Sequence, residues 1–158
     1  PEVVALVALA APARPIDSLI EHHVRHIYRN CADSAQGETI ALQLEDIFGQ
    51  IRNGTWDENT PVMGAYPKFW REWIGITDSA VAHYKMVQQP TLFIQGMDDF
   101  NVPPDNGQRF EARVTRSNAR VLYFDSTNHF LTHPAISMCL PPSLIQLLTG
   151  CSQMSRWG

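Results

Sequence analysis

Gln89-Pro90-Thr91-Leu92-Phe93-Ile94-Gln95-Gly96-Met97-Asp98-Asp99-Phe100-Asn101-Val102-Pro103-Pro104 is the stretch that decides the fold. Pro90 has no backbone donor and breaks whatever helix precedes it, and Thr91 to Ile94 make a run too short for a helix but suited to a buried strand. Two carboxylates follow Gly96 on a loop. Pro103-Pro104 then opens a helix that carries Phe110 and Val114, and Arg120-Val121-Leu122-Tyr123-Phe124 reads as a further strand. Strand, crossover helix and strand in this order call for a parallel sheet with right-handed crossovers, so the fold class is α/β.

Upstream, Val3-Val4-Ala5-Leu6-Val7-Ala8-Leu9-Ala10 is a continuous apolar run. A run without a polar face predicts a central parallel strand covered on both sides, with neighbours preceding it in the chain. The sheet then has about three strands here. Beyond Pro12 the period changes. Ile16, Leu19, Ile20, Val24 and Ile27 recur at helical spacing, and Ile40, Leu44, Ile47, Phe48 and Ile51 predict a second helix over about 38–52, closed by Gly54. Tyr66, Phe69, Trp70 and Trp73 follow on a short helix entered at Pro67. Residues 133–158 contain a single charged side chain, Arg156, and Leu140, Leu144, Ile145, Leu147 and Leu148 have the spacing of a last helix.

The composition narrows the function. The chain has 158 residues, of which 44% are hydrophobic and 18% charged, enough to bury a real core. A formal charge of -4 without any block of lysine or arginine gives nothing to neutralise phosphates, which excludes the electrostatic footprint of a nucleic-acid binder. The run from Val3 to Ala11 is far short of a bilayer span, so no membrane anchor is read. Cys31, Cys139 and Cys151 are widely spaced with no Cys-x-x-Cys, which points to buried thiols rather than to a disulfide framework or a zinc site. The expected partner is a small molecule. No cofactor or metal is called for, and the compartment stays open.

In parallel α/β sheets the working side chains sit on the loops just past the carboxyl ends of the strands. Asp98 and Asp99 occupy that position after one strand, and His129 in Ser126-Thr127-Asn128-His129 occupies it after the next. A carboxylate can orient an imidazole and stabilise its protonated form while the imidazole takes a nucleophile's proton. Other candidates are weaker. His22 and His26 stand one helical turn apart, but no glutamate lies between them as a metalloprotease requires, and they read as ordinary helix-face histidines. His133 reads as solvent-facing. Ser18, Ser34, Ser79 and Ser126 lie on helices or loops without the strained turn that exposes a nucleophile.

At these residues the chain resembles a known family. The segment from Gln89 to Pro103 is similar to the strand and acid loop of α/β-hydrolases, whose acid lies three residues after the glycine, which selects Asp99 and leaves Asp98 second. Ser126-Thr127-Asn128-His129-Phe130 is similar to the family's histidine loop, and Val4 to Pro15 resembles the strand after the nucleophile in bacterial esterases and peptidase-like hydrolases. The resemblance covers about residues 2–20 and 60–132.

It implies the C-terminal part of a serine hydrolase acting on carboxylic esters, with amides or peptides second. Residues 1–30 would be the first core strand and helix, 31–88 a helical cap-like insertion, and 89–158 the core carrying the acid and histidine loops. Tyr66, Phe69, Trp70 and Trp73 would help line a substrate pocket. The chain departs from the family by having no Gly-x-Ser-x-Gly turn, and Asp125 stands where glycine is commoner. The nucleophile is therefore expected from an N-terminal segment, and the chain alone is expected to be inactive. The alternative is a non-catalytic binding module that keeps the fold and self-associates through an exposed sheet edge.

Overall fold

A computed structural model describes residues 2–31 and 33–133. The order of elements is β1 (Leu6–Leu9), α1 (Ile16–Cys31), α2 (Ser34–Asn53), α3 (Pro67–Asp78), α4 (Ala80–Met86), β2 (Thr91–Gly96), α5 (Asp105–Arg113) and β3 (Ala119–Phe124). The three strands form one parallel sheet in the order β1-β2-β3, flanked by helices, an α/β architecture. The final-helix expectation at Leu140 to Leu148, and Cys139 and Cys151, lie outside the described residues.

The described residues divide into two compact units, one built from 2–19 and 74–133 and the other from 20–73. In the first, Leu6 to Leu9 pair with Thr91 to Ile94, and Thr91 to Gly96 pair with Ala119 to Phe124. Alternation along the strands gives the sheet two unlike faces. On one, Ala8, Phe93 and Phe110 bury themselves with Ala13, Val81 and Val114, and Phe93 stacks on Phe110 at 4.3 Å between ring centroids. Tyr84 meets both rings edge-on, at 5.0 and 5.1 Å. On the other face Val7 and Leu9 of β1 and Leu122 and Phe124 of β3 are exposed, at 58%, 57%, 44% and 47%.

That finding corrects the reading of the opening run. The strand is four residues long instead of eight, it is an edge strand of the described sheet, and only its inward residue Ala8 is buried. Helices α4 and α5 supply the core on one side of the sheet, and no described element of this unit covers Val7 and Leu9.

The loop after β1 is tied to α5 by Asn106. This fully buried side chain accepts the amides of Ala13 (2.8 Å) and Arg14 (3.0 Å) and donates to the carbonyl of Pro103 (2.8 Å). Arg14 also pairs with Asp105. A few residues later the amide of Ile16, at the start of α1, donates to the hydroxyl of Thr77 near the end of α3, at 3.0 Å. The chain thus leaves this unit and returns to it at neighbouring points.

In the second unit α2 begins at Ser34, four residues before the spacing predicts, because Asp33 caps it by accepting the amides of Ala35 and Gln36. It ends at Gly54, whose φ of 70° is the left-handed conformation that glycine adopts without strain. Ile40, Leu44, Phe48 and Ile51 are its buried stripe. Trp70 of α3 is buried with its indole N–H on the carbonyl of Val62 (2.9 Å) and its ring edge-on to Phe48 at 5.3 Å. No described helix is long and apolar enough to cross a membrane.

Candidate active site

The site grows out of the carboxyl ends of β2 and β3. The ladder between them runs on past the strands, with the amide of Met97 on the carbonyl of Phe124 and that of Asp98 on the carbonyl of Thr127, both at 3.0 Å. These bonds carry the acid loop and the histidine loop forward side by side. Asp98 then points to solvent while Asp99 turns inward, at 2% exposure.

Asp99 is held from both ends. Its Oδ1 accepts the amide of Val102 at 2.8 Å, closing the loop on itself, and its Oδ2 lies 2.9 Å from Nδ1 of His129. The carbonyl of Val102 in turn accepts Nε2–H of Gln95 at 2.9 Å, a buried amide that also donates to the carbonyl of Gly96. A carboxylate only accepts, so at this contact Nδ1 of His129 carries the proton and Nε2 is left as the ring's basic atom. The Asp99 side chain is wholly buried, whereas His129 keeps 34% of its side chain exposed. A buried acid behind a half-open imidazole is the arrangement in which the imidazole can take a proton from outside and be stabilised as it becomes charged.

The histidine loop is built locally. Ser126 and Leu131 both have left-handed backbones, with φ of 49° and 58°, a conformation that costs a residue with a side chain about 1–2 kcal/mol. Asn128 closes the turn around Leu131. Its Oδ1 accepts the amides of Phe130 (2.9 Å) and Thr132 (3.2 Å) and the hydroxyl of Thr132 (3.1 Å), and its own amide donates to the carbonyl of Thr132 at 2.9 Å. An asparagine that satisfies amides two and four residues on is a known turn device, so the signal lay in Asn128 itself. Gly96 carries a different one. A β-carbon there would stand 2.2 Å from the carbonyl oxygen of Thr127.

Of the residues singled out from sequence, Asp99 and His129 are brought together and Asp98 and His133 are not. Tyr66, Phe69, Trp70 and Trp73 belong to α3 and its approach. Trp70 is buried, while Tyr66, Phe69 and Trp73 are 59%, 48% and 39% exposed; Phe69 and Trp73 meet at 5.3 Å and Trp73 stacks on Trp70 at 5.7 Å. The rings of His22 and His26 lie 6.2 Å apart on α1. Among the described residues no group of three or more His, Cys, Asp and Glu side chains is placed to hold a metal ion. Ser79 spends its hydroxyl on the carbonyls of Gly75 and Ile76.

With this geometry in place, a likeness to a solved structure can be set beside it. The crystal structure of Paleococcus ferrophilus monoacylglycerol lipase aligns with 80% of this chain at 16% identity and a TM-score of 0.44. The match spans 51% of that lipase, about half its length. No family model and no curated protein matches the chain. The site is described by its own atoms.

Proposed function

We propose that this chain supplies the acid, Asp99, and the base, His129, of a serine hydrolase that acts on carboxylic esters, with amides and peptides as the second substrate class. The observation that carries the reading is the 2.9 Å contact between His129 Nδ1 and the buried Oδ2 of Asp99, on adjacent loops past the ends of parallel strands. In the reaction His129 Nε2 takes the proton of a serine hydroxyl as that oxygen attacks the ester carbonyl, then returns it to the departing alcohol. Asp99 holds the tautomer and faces the imidazolium.

The nucleophile belongs to a segment that precedes β1, and residues 31–88 act as a cap in which Tyr66, Phe69, Trp70 and Trp73 contact the acyl portion of the substrate. The isolated chain is expected to give no turnover of a chromogenic short-chain ester above background. Joined to its upstream segment it is expected to turn the ester over, with a fall of about 10³-fold or more on His129→Ala and covalent labelling by a fluorophosphonate. Robust fluorophosphonate-sensitive turnover by residues 1–158 alone would sink the claim of an external nucleophile.

A second reading is favoured by the uncovered strand β1. Val7 and Leu9 stand exposed beside an edge with backbone groups to offer, as in a module that pairs with another chain and has no catalytic role. An upstream sequence without a Gly-x-Ser-x-Gly turn would decide for it.

A further inference from the structure

We infer that Gly96 and Asn128 are positioning residues that fix His129 against Asp99, an inference that rests on the reading of that pair as acid and base. Neither touches the reacting atoms. Gly96 governs how closely the histidine loop approaches the end of β2, and Asn128 governs the shape of that loop.

The case for Gly96 is steric. Its missing β-carbon would stand 2.2 Å from the oxygen and 2.9 Å from the carbon of the Thr127 carbonyl, and 3.0 Å from the oxygen of Asn128. All three are backbone atoms and none can swing aside as a side-chain tip does. A carbon and an oxygen come to rest at roughly 3.3 Å, so a methyl group at this position moves the loop by roughly 1 Å. Catalytic constellations tolerate displacements of about 0.5 Å, and His129 stands two residues along from the point of collision. The same carbonyl of Thr127 accepts the amide of Asp98, so the collision and the bond that keeps the two loops in register meet at one atom.

For Asn128 the case is one of hydrogen bonding. Three donors converge on its Oδ1, and the turn they close, from Asn128 to Thr132, contains His129 and also Leu131, which is held in left-handed backbone. Remove that acceptor and Leu131 relaxes to an ordinary conformation, which turns His129 away from Asp99.

The test uses residues 1–158 labelled with nitrogen-15 and reads the imidazole Nδ1–H resonance of His129, which a bond to a carboxylate protects and shifts downfield. Asp99→Asn identifies the signal by altering it. The expected result is loss of the protected signal in Gly96→Ala and in Asn128→Leu, its retention in Asn128→Asp, and unchanged amide protection along β2 and β3 throughout. Retention of the signal in Gly96→Ala or Asn128→Leu, with those amides protected, overturns the inference. Where Gly96→Ala loses the sheet amides, Asn128→Leu decides between the two outcomes, because it alters a loop outside the core. Activity separates the two levels. A full-length protein with no esterase turnover defeats the hydrolase reading while these resonances still uphold the positioning roles, and an esterase with an undiminished kcat in Asn128→Leu does the reverse.

Discussion

The two faces of the three-stranded sheet are made from the same strands and share almost nothing else. One carries Ala8, Phe93 and Gln95, each less than a tenth exposed, beneath Phe110 of α5 and Val81 of α4. The other carries Val7, Leu9, Leu122 and Phe124, each about half exposed, although its residues are the more apolar of the two sets. Hydrophobicity alone therefore does not decide which side becomes the core. The covered face is the one to which the chain brings helices, and it also contains the polar side chain, Gln95, that braces the acid loop.

Substitutions on the two faces put this contrast to work. Phe110→Ala, which empties a fully buried site stacked on Phe93, is expected to cost about 3–5 kcal/mol in urea unfolding; a loss as small as that on the open face would show that the stacked rings are not the core. Gln95→Leu leaves the carbonyls of Gly96 and Val102 without their buried donor and is expected to cost about 2 kcal/mol.

Tyr123 shows how far the covered face controls ionisation. Burial first, then the charge and hydrogen bond of Glu111, push its phenol up to about 12 from an ordinary 10.0. The raised value means that the fold favours the protonated phenol. Its contribution to stability is complete below pH 10 and is lost as the pH rises from 10 to about 12, while the unfolded chain ionises first. Titration of tyrosinate absorbance is expected to find this late group and to lose it in Tyr123→Phe, whose stability falls less steeply above pH 10. The smallest effect is expected from Leu122→Ser on the open face, within about 0.5 kcal/mol by the same urea assay. A cost matching that of Phe110→Ala would mean that this face is covered in solution.

Much of this was legible in the sequence, because the deciding signals are local. Pro90, Gly96 and the pair Pro103-Pro104 punctuate short apolar runs, and punctuation of that kind marks β2 and the start of α5 closely. The spacing of Asp99 from Gly96, and the position of His129 past the next strand, marked the residues that the structure places 2.9 Å apart. The opening run was less readable. An unbroken apolar stretch has no period, so it cannot say which of its side chains will meet a helix, and Val7 and Leu9 met none among the described residues of their unit. At Ser34 the capping signal of Asp33 was present in the sequence but lay outside the apolar stripe used to place the helix. The fit of Gly96 against Thr127 was not legible at all, since it joins residues 31 positions apart and depends on the register between two strands.

The hydrogen bond from Ile16 to Thr77 has an architectural consequence. It ties the two ends of the stretch from Ile16 to Thr77 to each other within the sheet-bearing unit. Loop closure across such a tie depends only weakly on how much chain it encloses, so the enclosed stretch can lengthen, shorten or be exchanged while the sheet, Asp99 and His129 keep their places. What such a tie holds constant is the sheet-bearing unit, and what it leaves free to vary is the stretch of chain between Ile16 and Thr77.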